Sequence, residues 1–222
     1  MKKIIKLPAA IALLLLAASC GDSKQYETSM CALIDVSDSY AHEKPNIVGI
    51  IKAGLIPNLE PGDSLFFITI DSNSYNEEDL MAKVTLDYIP SKANDQKLAF
   101  AHTLDEFSKN NLRSSHTDIS GAMMLCMDYL RQTGSGNRSI IVFSDMREEL
   151  APGLKREFKP AEFEDADIAA LNVIKLNKDS MDPEIYRQRM IKWEERVLAA
   201  GAKSWTMIID ATKIPEYIEQ LK

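Results

Sequence analysis

The sequence predicts an α/β domain, a three-layer αβα arrangement around a doubly wound, mostly parallel sheet of about six strands with one antiparallel edge strand. Three observations carry this. Apolar runs too short for helices, Met30–Ile34, Ser64–Ile70 and Ser139–Phe143 among them, alternate with longer stretches of helical periodicity. Such runs are apolar throughout, so helices must cover both of their faces, as in a parallel sheet. Ala82–Tyr88 differs: Val84, Leu86 and Tyr88 alternate with Lys83, Thr85 and Asp87, which suits an edge strand with one wet face.

Taken in order, Lys44-Pro45 opens a helix whose Ile47, Ile50, Ile51 and Leu55 share a face, and Pro57 stops it. Pro61-Gly62-Asp63 turns the chain into the second strand, completing a right-handed βαβ unit. Asp71–Glu78 and Pro90–Asp95 read as loops on either side of the edge strand, and Gln96–Phe107 as a helix. The polar loop Asn110–His116 delivers Thr117 to the N-cap of a helix over Asp118–Gln132, with Ile119, Ala122, Met123, Cys126, Tyr129 and Leu130 facing inward. Gly134-Ser135-Gly136-Asn137 leads into the strand that ends at Ser144-Asp145. Residues 146–165, with two prolines and alternating charges, lack periodicity and read as an insertion on the same edge as Asp145. Ile168–Leu176 is a fifth strand, and Asp182-Pro183-Glu184 starts a helix carrying Tyr186, Met190, Trp193 and Val197. Ser204–Ile209 and Lys213–Leu221 supply the last strand and helix.

The polar break after Met30–Ile34 is the most informative stretch. Asp35, Ser37 and Ser39 lie at i, i+2 and i+4, so a loop leaving the strand end can aim one carboxylate and two hydroxyls at a common centre. Hard oxygen donors of this kind suit Mg2+ or Mn2+. Asp35-Val36-Ser37-Asp38-Ser39 resembles the Asp-x-Ser-x-Ser signature of von Willebrand factor type A domains. Thr117 at a helix start and Asp145 after a strand supply, in the same chain order, the Thr and the Asp that this family adds from two further loops. The resemblance covers residues 29–222 and implies a metal-ion-dependent adhesion site. It implies that Ser37, Ser39 and Thr117 touch the ion, that Asp35 and Asp145 hold its waters, and that a partner protein supplies a carboxylate as the last ligand. Asp38 and Asp118 read as loop or capping residues. His116, Arg147 and Glu148 form a candidate rim for the partner, with Glu149 beside them; a solvated charged loop is the plainer reading.

Residues 1–19 combine a basic start, an apolar run over Ile11–Ala18 and small residues before Cys20, which reads as a secretory signal rather than a span. Ala17-Ala18-Ser19-Cys20 resembles a bacterial lipobox, with Ala17 where Leu is more usual, and implies a lipid on Cys20. Residues 20–28 then form the lipidated Cys and a polar tether. Loss of Lys2, Lys3 and Lys6 with the leader takes the net charge from -7 to -10. An acidic chain without a basic cluster is a poor match for nucleic acid, and membrane contact is expected only through the lipid. Cys31 and Cys126 sit in apolar settings; an oxidising compartment permits a bond between them, but the expectation is two free core residues. Three histidines and no Cys-x-x-Cys give zinc no support.

Enzymatic readings fail on local requirements. A haloacid dehalogenase-type site needs a second carboxylate two residues after the strand-end Asp, where Ser37 stands. A Gly-x-Ser-x-Gly elbow and a Gly-rich dinucleotide turn are both missing. The expectation is a lipid-anchored, extracytoplasmic domain of the cell envelope that binds a protein through a divalent cation. The alternative is a metal-independent structural or assembly subunit of an envelope complex, working through helix faces or residues 146–165.

Overall fold

All eight side chains of Thr28–Asp35, strand β1, are buried, which requires a place inside the sheet. In the computed structural model, which describes residues 23–38, 40–171 and 183–222, β1 lies between two parallel neighbours. They are β2, Ser64–Ile70, and β4, Asn137–Phe143. Beyond β4 follow β5, Ala166–Leu171, and β6, Ser204–Ile208, both parallel. β3, Leu80–Thr85, pairs antiparallel with β2, so the order is β3-β2-β1-β4-β5-β6. Chain direction across the sheet reverses between β1 and β4, and the crevice at their carboxyl ends is where this kind of sheet binds ligands.

Helices cover both faces. Helix α1, Lys44–Ile50, is prolonged by a π turn over Ile51–Leu55 and a 3-10 turn over Ile56–Asn58. With α2, Pro90–Lys109, and α5, Ile214–Leu221, it packs Ile47, Leu55, Leu104 and Ile218 against Met30, Ala32 and Ile34 of β1. On the other face α3, Ile119–Thr133, and α4, Pro183–Ala199, meet Cys31, Leu33, Ile140 and Val142.

Several boundaries differ from expectation for identifiable reasons. Helix α2 begins at Pro90, not Gln96: Pro at the first helical position needs no N–H partner, and only Ala93 of the first turn is buried, so no apolar rhythm marked it. β3 ends at Thr85, after which the Leu86 amide donates to the Asp63 carbonyl at 2.9 Å. Of the expected Ile168–Leu176 strand, β5 accounts for the first part; residues 172–176 and the Asp182 cap lie outside the described residues, as do the leader and Cys20.

Residues 146–165 are more than an insertion at one edge. They begin beside Asp145, cross the α3–α4 face and reach the opposite edge, where the Phe163 amide donates to the Ala200 carbonyl at 3.0 Å. This segment is the β4–β5 crossover, made without a helix. Phe158 and Phe163 anchor it edge to face at 4.6 Å, and the Trp193 indole N–H donates to the Met146 carbonyl at 2.8 Å.

Cys31 and Cys126 are joined in a disulfide with their Cα atoms 5.8 Å apart, correcting the expectation of two free thiols. Their apolar setting suits either state; facing positions on β1 and α3 decide it. Ser23–Glu27 also depart from a free tether. The Lys24 carbonyl accepts from the Gly136 amide at 2.9 Å, and the Lys24 ammonium donates to the Thr133 carbonyl at 3.0 Å. Gly136 is required there, because a Cβ would overlap the Gln25 carbonyl oxygen.

Candidate functional site

Three loops meet at the carboxyl ends of β1 and β4. Asp35 closes β1 with 1% exposure; its Oδ1 accepts from the Ser37 amide at 2.8 Å and its Oδ2 from the Ser144 hydroxyl at 2.7 Å. Burial pushes its pKa up, the Ser37 and Ser144 hydrogen bonds oppose this, and the nearby Asp145 charge adds to the rise. The carboxylate thus spends its oxygens shaping the loop, with Ser37 held in the turn above it.

The second loop is fastened to the first. Asp38 N–H donates to the Ser114 carbonyl at 3.1 Å and Ser114 N–H to the Val36 carbonyl at 2.9 Å, a short parallel bridge under Ser37. Thr117 exchanges hydrogen bonds with Glu149, at 2.8 Å from its amide and 3.0 Å to its carbonyl. Thr117 is therefore held from both sides of its backbone. Its hydroxyl has no hydrogen-bond partner among the described residues. The expected N-cap role falls to Asp118 instead, whose carboxylate accepts from the Gly121 amide at 2.8 Å. Asp118 is fully buried and neutralised by Arg156, whose Nη2 lies 2.6 Å away.

Asp145, third of the loops, accepts from the Arg147 amide at 2.8 Å. Arg189 donates to its carbonyl at 2.9 Å and stands 3.9 Å from its Oδ2. Ser37, Thr117 and Asp145 line one cavity of 260 Å³, together with Ser114, Arg147 and Glu149. Asp35 lies beneath it. Four of the five expected metal residues thus converge, while Ser39 lies outside the described residues. The lining offers hydroxyl and carboxylate oxygens, and an unpartnered hydroxyl in a polar cavity fits a hard divalent cation such as Mg2+ or Mn2+.

The expected rim is divided. Arg147 lines the cavity. His116 lies outside its lining, with Nδ1 3.0 Å from the Ser115 hydroxyl. Glu148 turns away, accepting from the Ser120 amide at 2.7 Å and pairing with Arg196 at 3.3 Å, so it braces α3 against α4; Glu149 takes the cavity position.

No family model matches the chain, and no curated protein does. Solved structures resemble it. The conserved hypothetical protein BatB of Bacteroides thetaiotaomicron superposes over 88% of this chain and 96% of its own, with TM-score 0.51 and 16% identity. A von Willebrand factor type A protein of Catenulispora acidiphila gives TM-score 0.47 and 11% identity over 88% of this chain and 42% of its own. The human COPII-coat protein Sec24c gives 0.46 and 9% over 88% and 32%. The chain has a three-layer αβα, doubly wound fold, shared with the BatB protein. At these identities the likeness concerns the fold alone.

Within this frame, Ser114, Ser144 and Arg156 are the site residues that sequence reasoning missed, while Glu149, expected only beside the rim, lines the cavity itself. Ser144 was within reach, since it directly precedes Asp145 and a strand-end hydroxyl beside a strand-end carboxylate is a ready donor. Ser114 and Arg156 act through partners distant in sequence, and nothing local marks them.

Proposed function

We propose that this chain is an exported, lipid-anchored binding domain that takes a protein partner through a divalent cation at the cavity. Ser37, Ser39 and Thr117 would hold Mg2+ or Mn2+, with Asp35 and Asp145 behind them. A cation bound largely by neutral hydroxyls keeps enough charge to attract a carboxylate from a partner. Arg147, on the cavity wall, favours the same anionic group. Asp35 keeps the Ser37 turn in place through its amide, and the Thr117–Glu149 pair keeps the second loop in register with the third. Binding, not turnover, is the activity proposed. Export agrees with the buried Cys31–Cys126 disulfide, a bond that persists in oxidising compartments.

The observation that carries this reading is the Thr117 hydroxyl, without a partner among the described residues, in a cavity shared with Ser37 and Asp145. Calorimetric titration of the purified protein with Mg2+ and Mn2+ tests it. Saturable binding is expected, and Thr117→Ala should weaken it at least about tenfold, the scale on which supporting groups at metal sites act. The thermal midpoint without added metal should be unchanged by that substitution, because no protein hydrogen bond is lost. Absence of heat with either ion would sink the cation and favour a metal-independent assembly role.

A further inference from the structure

The chain enters the fold at the edge opposite the cavity, and it enters pinned. Ser23–Tyr26 form a 3-10 turn whose Lys24 is bonded to Thr133 and Gly136 at the start of the turn into β4. Only Gly21 and Asp22 separate this anchored turn from Cys20. Three Cα-to-Cα steps reach at most about 11 Å. If Cys20 carries lipid, which is part of the function proposed above, this edge cannot leave the bilayer surface by more than that reach.

What this edge displays is suited to such a position. Tyr26 is 83% exposed, Tyr88 64% and Ile89 49%. They form one neighbourhood, because the Tyr88 hydroxyl donates to the Glu27 carboxylate and Tyr88 packs beside Gly62. Tyrosines with an apolar ring and a polar tip concentrate at the headgroup level of membranes. We propose that the amino edge of the sheet rests on the lipid surface through Tyr26, Tyr88 and Ile89, holding the cavity on the far side. The eight residues of β1 put the cavity roughly 25 Å farther out. The occupant is the headgroup layer of the anchoring membrane, and because the exported chain carries -10 the contact relies on aromatic and apolar groups rather than on anionic lipid.

The lipidated protein in phosphatidylcholine vesicles tests this, with a nitroxide on Ile89→Cys or on Leu112→Cys. Leu112 marks the cavity edge, where its carbonyl accepts from Lys44 at 3.1 Å. Cys31 and Cys126 are buried in their disulfide, so label goes to the introduced thiol. The Ile89 nitroxide should collide with membrane-dissolved oxygen more, and with a water-soluble nickel chelate less, than the Leu112 nitroxide, each by about twofold or more. A Gly/Ser insertion of about ten residues after Gly21, combined with Tyr26→Ser and Tyr88→Ser, should erase the difference. Equal nickel access at both positions in protein whose mass includes the lipid overturns the orientation, as does a difference that survives the insertion variant. A mass without lipid on Cys20 overturns the anchor itself.

Discussion

Asp79, at the end of the turn into β3, is 6% exposed, and its Oδ2 has no hydrogen-bond partner among the described residues. Burial, and after it the charge of Asp71, raise its pKa to about 7. Since an unfolded Asp titrates near about 3.9, the folded chain keeps a proton between about pH 4 and pH 7 that the unfolded chain has released. Stability therefore falls as pH rises through that window. Asp79→Asn should flatten the fall and raise stability at pH 8 by roughly 2–4 kcal/mol, read from urea denaturation at pH 5 and pH 8. Arg156 is the converse case, a cation serving a buried anion. Arg156→Met leaves Asp118 with the Gly121 and Ser74 amides but no counter-charge, and should cost about 3 kcal/mol in the same measurement. Adding Asp118→Asn should recover part of that loss. At this scale the sequence is readable where function is contiguous: Asp35 and Ser37 declare themselves within one pentapeptide. Arg156 is one of several cations in an aperiodic stretch until folding brings Asp118 and Asn73 to it.

Among elements, β1 and α3 carry the first and second loops of the cavity and are joined covalently. The Cys31–Cys126 bond closes a sequence separation of 95 residues. Cys31→Ala/Cys126→Ala should lower stability by about 2–5 kcal/mol, and thermal unfolding with and without reductant should give matching losses. Helices with a continuous apolar stripe and strands buried on both faces were legible in the chain, because each carries its own pattern. Less legible were the start of α2, where the first turn faces water, and the docked turn Ser23–Tyr26, whose partners lie on the α3–β4 connection. The disulfide was undecided by pattern, since an apolar neighbourhood accepts a thiol and a bridge equally.

For the molecule as a whole, helices supply the parallel connections up to β4: α1 joins β1 to β2, and α2 and α3 carry the chain from the antiparallel edge strand β3 back to β4 beside β1. Beyond β4 the rule lapses, because residues 146–165 complete a parallel crossover without periodic structure of their own. That has a kinetic consequence. A helix gains local hydrogen bonds as it forms, but this crossover gains little until α4, later in the chain, supplies Trp193 and Arg196 to Phe158. It should condense after the rate-limiting barrier to folding. Phe158→Leu is accordingly expected to speed unfolding while leaving refolding nearly unchanged, a low φ-value in stopped-flow measurements, whereas Ile141→Val in β4 should slow refolding. The segment that closes the fold last is also the one that carries Arg147 and Glu149, so the cavity wall is finished only when the rest of the domain already stands.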